Sequence, residues 1–163
     1  MKIDLIVYDF DGVMTNNQVY VFEDGRECVA CNRSDGLAVG LLKEAGFDQI
    51  IISTEPNSVV LARAKKLKIL AMHDCKNKKD TLIEYCNSNG YSLRNVVFVG
   101  NDINDKEAME SVGFPICPSD AYEDIKNISC YITNSTGGKG VIRELANLIL
   151  GKKYVELWKK NIF

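Results

Sequence analysis

Two aspartates one residue apart, Asp9 and Asp11, end the apolar run IVYDFDGVMTNN of residues 6 to 17. Carboxylates at the edge of a core are costly and repel each other unless something positive sits between them. Asp11-Gly12 is also ordinary turn chemistry, which is the plainer reading. The sharper one is a divalent cation with a reaction beside it. Three other short stretches carry chemistry of the same kind: Ser53-Thr54-Glu55, the lysine pair Lys78-Lys79, and the box GNDIND at residues 100 to 105, with Asn101 and Asp102. Carboxylates from two places, a hydroxyl from a third and a lysine from a fourth suit Mg²⁺ and a phosphate together. Mg²⁺ takes oxygen ligands and keeps waters and a phosphate oxygen in its shell. The hydroxyl, the lysine and backbone N–H groups would hold the remaining phosphate oxygens.

The elements between these stretches decide whether they can meet. IDLIVYDF reads as a strand and VYVFEDGRECVAC as a hairpin turning at Asp24-Gly25, within an insertion over about residues 17–32. SDGLAVGLLKEAG reads as a helix capped by Ser34 or Asp35 and stopped at Gly46. The strand QIIIS follows, then a helix over PNSVVLARAKKL with Pro56 near its start, and the short strand ILAM. A helix over NKKDTLIEYCNSNG, the strand NVVFVG, a helix over NDKEAMESVG and the strand FPIC come next. AYEDIKN, CYIT, the turn STGGKG and the helix VIRELANLIL close the run, with a tail over 151–163. This alternation predicts a three-layer, Rossmann-like α/β fold: a parallel sheet with helices on both faces, plus the hairpin. The continuous apolar strands agree with a sheet covered on both sides. In such a sheet ligands bind beyond the carboxyl ends of the strands, where all four chemical stretches fall. Singly, Ser53 caps a helix, Lys78 is a solvated charge and GND is a turn; together, in order, they are hard to obtain from turn chemistry.

At 163 residues, with 46% hydrophobic and 26% charged side chains, the chain is most simply one soluble domain spanning 1–163. A formal net charge of −2 supplies no basic field for nucleic acid. No apolar run approaches the ~20 residues a membrane span needs, and the first residues do not form a signal peptide, so a cytoplasmic location is expected. Of six cysteines, Cys28 and Cys31 form one CxxC, but with a single histidine, His73, and the pair in a strand, buried reduced thiols are the expectation.

The motif DxDGV(x)T at Asp9 to Thr15, the Ser/Thr after the next strand, the lysine opening a later helix and the G(D/N)DxND box resemble the haloacid-dehalogenase superfamily of phosphatases. The resemblance implies that Asp9 attacks phosphorus to form an aspartyl-phosphate, and that Asp11 protonates the leaving alcohol and then activates water. Ser53 and Lys78 are the implied catalytic contacts to the phosphate, Lys78 matching better than Lys79. Asp9, Asp11, Asn101 and Asp102 are the implied Mg²⁺ site, and Thr15 and Thr54 are implied substrate contacts. The short chain, the hairpin and GGKGVIREL resemble the small capless branch. That branch holds 3-deoxy-D-manno-octulosonate 8-phosphate phosphatases, sialic-type 9-phosphate phosphatases and the phosphatase-like domain of CMP-sialic acid synthetases. It implies a homotetramer joined through the hairpins, which an edge hairpin with alternating apolar residues would favour. One departure is Asn101, where most of the branch carries a carboxylate.

Glu55 and, on the following helix, Arg63 and Lys66 resemble the sialic-type branch, implying a nine-carbon 2-keto-3-deoxy sugar acid 9-phosphate as substrate. Glu55 would accept from sugar hydroxyls; Arg63 and Lys66, three apart on one helix face, would meet the carboxylate. A solvated basic face is the alternative for ARAKKLK. The eight-carbon 8-phosphate is the second candidate substrate. A weakly active oligomerisation or regulatory module, suggested by Asn101, is the third reading.

Overall fold

Leu5, Ile6, Val7 and Tyr8 are all fully buried, because both faces of the strand they form are covered. In the computed structural model, which describes residues 2–151, this strand is β1 (Leu5–Tyr8). The expected tail over 151–163 lies, beyond Gly151, outside the described residues. A small antiparallel hairpin follows, β2 (Tyr20–Val21) and β3 (Glu27–Cys28), then α1 (Arg33–Glu44), β4 (Asp48–Ile52), α2 (Val59–Leu67), β5 (Leu70–Met72) and α3 (Lys78–Asn89). After a 3-10 turn come β6 (Val96–Val99), a second 3-10 turn at Ile103–Asp105, α4 (Lys106–Glu110), β7 (Phe114–Cys117), α5 (Glu123–Ile128), β8 (Tyr131–Ile132) and α6 (Val141–Leu150).

Six strands make one parallel sheet in the order β5-β4-β1-β6-β7-β8. The chain builds outward from β1 through β4 and β5, then returns to the other side through β6, β7 and β8. That reversal opens a crevice beyond the carboxyl ends of β1, β4 and β6, where open α/β sheets bind ligands. Alternation along β1 sorts the two cores. Ile6 and Tyr8 pack with Leu42 of α1, Val60 of α2 and Leu145 of α6. Leu5 and Val7 pack with Leu82 of α3, Met109 of α4 and Ile125 of α5. One more backbone hydrogen bond pins the first residue beyond each central strand: Asp9 N–H to Val99, Ser53 N–H to Met72 and Gly100 N–H to Ile116. The chemistry begins where the ladder ends. Among the described residues no helix is long and apolar enough to cross a membrane.

Three local expectations are corrected. The hairpin is shorter than its sequence pattern, with ladder pairs only at Tyr20–Cys28 and Val21–Glu27 and an isolated bridge at Thr15–Cys31. The helix expected from Pro56 begins at Val59, because Asn57 Oδ1 accepts the Val59 N–H (3.0 Å) and Glu55 Oε1 accepts the Asn57 N–H (2.9 Å). These side-chain bonds hold the segment in turns instead. The cap of α1 is Asn32, whose Oδ1 accepts the Ser34 N–H at 2.8 Å. Asp35 instead reaches α6, accepting the Arg143 N–H at 2.9 Å. It thereby supplies a carboxylate to a helix whose own cap, Gly140, has no side chain.

The STGGKG turn lies directly behind the first Asp loop. Gly138 N–H donates to the Val13 carbonyl (3.0 Å) and Gly137 N–H to Asp120 Oδ1 (2.9 Å). Glu144 of α6 anchors the approach by accepting from the N–H groups of Asn134 (2.8 Å) and Ser135 (2.9 Å). A Cβ at Gly137 would lie 2.2 Å from the Gly12 carbonyl oxygen. Gly137→Ala should therefore cost about 1–3 kcal/mol in urea denaturation and lower activity by displacing the Asp loop. Gly40→Ala on α1, with nothing within 4 Å of the added Cβ, should be neutral or stabilising.

Candidate active site

Lys78 is the first residue of α3, yet it is only 2% exposed. Its Nζ lies 2.6 Å from Asp9 Oδ1 and 2.6 Å from Asp105 Oδ1. A buried ammonium is tolerated only when paired and hydrogen-bonded. Asp105, fully buried, uses its other oxygen to accept the N–H groups of Asn101 (2.9 Å) and Asp102 (3.3 Å). Gly100 permits this turn, since a Cβ there would lie 2.6–2.8 Å from atoms of the Asp105 side chain. Lys78 thus ties the end of β1 to the loop after β6.

The electrostatics follow from burial. Burial first, and then the neighbouring charge of Asp105, pushes Asp9 up to about 7 against the opposing pull of Lys78. Burial pulls Lys78 down, but Asp9 and Asp105 outweigh it and the net shift is upward. Asp11 is raised by burial, with the Thr15 hydrogen bond opposing and the charges of Glu55 and Glu27 adding to the rise. A carboxyl held above its ordinary range is suited to donate a proton.

Asn101 completes the cluster. One end of its amide lies 3.1 Å from Asp9 Oδ2 and 2.8 Å from the Asp11 carbonyl. With nitrogen there, the amide donates to both; with oxygen there, three oxygens converge. Neighbouring ligands of an octahedral Mg²⁺ at 2.0–2.1 Å stand about 2.8–3.0 Å apart, so the two Asn101 distances suit that ion and three oxygens suit its chemistry. Among the described residues no group of three or more His, Cys, Asp or Glu side chains could hold a metal. The set instead joins one carboxylate to an amide and a backbone carbonyl. Gly12 allows the approach, because a Cβ there would collide with the Asn101 side chain.

Asp9, Asp11, Ser53, Thr54, Asn101 and Asp102 line one cleft of about 280 Å³. Ser53 is buried, and its Oγ accepts the Glu55 N–H at 3.1 Å. Thr54 is exposed, with Asn104 Nδ2 donating to its Oγ1 at 3.2 Å. The structure distinguishes Asn101 from Asp102: the latter is exposed, and its Oδ1 accepts the Ile103 N–H at 2.6 Å to cap the 3-10 turn. It likewise separates Lys78, in the cluster, from Lys79, which lines a neighbouring recess.

Three expected substrate contacts lie outside the lining of the cleft. Thr15 is fully buried, and its hydroxyl donates to Asp11 Oδ1 and accepts the Gly12 N–H, each at 3.2 Å, so it fixes the loop. Arg63 turns toward α1, where Nη2 donates to the Asn32 carbonyl at 2.9 Å, and it lines neither the cleft nor the recess around Glu55. Lys66 is exposed and lines neither of these. The i, i+3 spacing placed the two on one helix face but could not say that Arg63 bends to the start of α1 while Lys66 stays exposed. Asp105 was missed as a site residue, although it ends the GNDIND box. Its signal was the spacing of four from Asn101, one turn that brings the Asp105 carboxylate back to the backbone N–H of Asn101.

Asp105→Ala should be the most disruptive single change, since it takes one of two carboxylates from Lys78 and strands the Asn101 and Asp102 N–H groups. A loss of about 3–5 kcal/mol in urea denaturation is expected, with Asp105→Asn smaller.

The model of the haloacid dehalogenase-like hydrolase family matches residues 41–145. A 3-deoxy-D-manno-octulosonate 8-phosphate phosphatase of Salmonella typhi is 28% identical over 150 residues, covering 91% of this chain and 80% of that protein. The enzyme of that name from Moraxella catarrhalis, solved with magnesium, phosphate and KDO, superposes with a TM-score of 0.92 at 29% identity, covering 99% of this chain and 94% of that one. A HAD family hydrolase from Streptomyces avermitilis gives a TM-score of 0.91 at 40% identity, with 94% of each chain covered. The fold, the position of the Asp pair and these likenesses agree: the chain belongs to the haloacid dehalogenase-like hydrolases.

Proposed function

We propose that the chain is a Mg²⁺-dependent phosphatase of 2-keto-3-deoxy sugar acid phosphates, working through an aspartyl-phosphate on Asp9. The observation that carries this reading is the convergence of Asp9, the Asp11 carbonyl and the Asn101 amide beside the Lys78 bridge. Those oxygens would hold Mg²⁺, which when bound offsets the charge of the phosphate against that of Asp9. Lys78 steadies Asp9 as its charge passes to the phosphoryl group, and Ser53 offers a hydroxyl at the cleft. Asp9 attacks phosphorus, and Asp11 gives its proton to the departing alcohol. As a carboxylate, Asp11 then takes a proton from the water that releases phosphate.

Two substrates suit this chemistry. The 8-phosphate of an eight-carbon sugar acid is favoured by the names of the relatives. The 9-phosphate of a nine-carbon one is our choice from Glu55, which sits as an acceptor beside Asp11. The exposed apolar run Val19, Tyr20, Val21 and Phe22 favours a homotetramer joined through the hairpins. Six free cysteines suit a reducing, cytoplasmic setting. A weakly active module of sialic acid metabolism is a reading carried by Asn101 alone.

A phosphate-release screen over sugar phosphates should show activity with Mg²⁺ and none after chelation. Asp9→Asn should abolish it while circular dichroism stays unchanged; undiminished turnover in that variant would contradict the mechanism. Asn101→Asp should tighten Mg²⁺ binding in calorimetry, and a silent substitution would place the ion elsewhere. Light scattering should give a tetramer at micromolar concentration, against which a monomer would count.

A further inference from the structure

Between the hairpin and the lead into α2 lies a second recess, of about 210 Å³, which shares Asp11 and Asn17 with the catalytic cleft. In-line displacement sends the leaving oxygen to the side of phosphorus away from Asp9, and its proton comes from Asp11. The leaving group therefore departs toward the space beside Asp11. Val19, Val29 and Val59 give this recess apolar walls, and Glu27 and Glu55 give it carboxylates.

Asn57 fixes both carboxylates. Its Nδ2 donates to Glu27 Oε2 at 2.9 Å, and its backbone N–H donates to Glu55 Oε1 at 2.9 Å. The second oxygen of each carboxylate has no hydrogen-bond partner among the described residues, so two acceptors stand on either side of one asparagine. None of the lining side chains is basic. An anionic substituent placed here would meet Asp11, Glu27 and Glu55 together. Hydroxyl groups, each a donor, with C–H faces against valine, match the lining.

We propose that this recess holds the polyol segment of the substrate next to its phosphate, with Glu27 and Glu55, clasped by Asn57, accepting the hydroxyls. The inference rests on the phosphatase reading above. It gives the hairpin a part in substrate choice through Glu27, and it requires a sugar acid to direct its carboxylate out of the recess.

Sorbitol 6-phosphate, hexyl phosphate and p-nitrophenyl phosphate separate the possibilities. The unaltered protein should prefer sorbitol 6-phosphate to hexyl phosphate. Glu27→Gln should lower kcat/KM for sorbitol 6-phosphate about tenfold to a hundredfold, mainly through KM, and lower it clearly less for p-nitrophenyl phosphate. Asn57→Ala, which frees the Glu27 carboxylate, should act the same way, and light scattering on both variants separates recognition from any effect on assembly. Equal losses on both substrates, or none on either, would overturn the assignment. So would a protein that cleaves p-nitrophenyl phosphate and is indifferent to the hydroxyls, with the phosphatase reading left standing. Inertness toward all three would overturn that reading as well.

Discussion

The ammonium group of Lys78, buried between Asp9 and Asp105, is the interaction on which the catalytic end of the sheet depends. Moving three charged groups out of water is unfavourable, and only close pairing offsets it. That requirement draws together the end of β1, the start of α3 and the turn after β6. Asp105 extends the constraint by accepting two backbone N–H groups, which presents the Asn101 amide to Asp9 and to the Asp11 carbonyl. The glycines follow as consequences: Gly12 leaves room for Asn101, Gly100 for Asp105, and Gly137 for the carbonyl of Gly12.

The same burial sets the chemistry. With Asp9 pushed up to about 7, the folded state binds its proton better than the unfolded chain does. That contribution to stability is complete below the ordinary carboxylate range and is lost as pH rises through about 7. An ionised Asp9 at neutral pH is thus held at some cost, which a cation beside it can offset. Asp11, more open and hydrogen-bonded to Thr15, lies outside the Lys78 bridge. Two carboxyls two residues apart therefore have different surroundings, as the proposed roles of nucleophile and acid require.

Most of the fold was legible in the sequence because its strands are continuous apolar runs and its helices are bounded by Asn77, Gly90 and similar caps. The errors fall where side chains compete with the backbone. Asn57 and Glu55 hold a turn where Pro56 signalled a helix start, and Asn32 takes the cap assigned to Ser34 or Asp35. In the cluster, Asp9, Asp11 and Ser53 were legible from their places just beyond strand ends, and Lys78 from its place at the start of a helix. Thr15, Arg63 and Asp105 were not. Thr15 turns inward to the loop, Arg63 reaches the carbonyl of Asn32 at the cap of α1, and Asp105 meets a lysine distant in sequence. Motif spacing identifies residue types at a site, but three-dimensional packing decides which way each one faces.

The central claim is that Asp9 becomes covalently phosphorylated during turnover. The most direct measurement is acid quenching within a single turnover on an isotopically labelled sugar phosphate, followed by peptide mapping by mass spectrometry. The account predicts labelled phosphoryl on the peptide containing Asp9, decaying as free phosphate appears, and absent when Asp9 is Asn. Phosphate release with no label on that peptide at any time, or label on another residue, would contradict it.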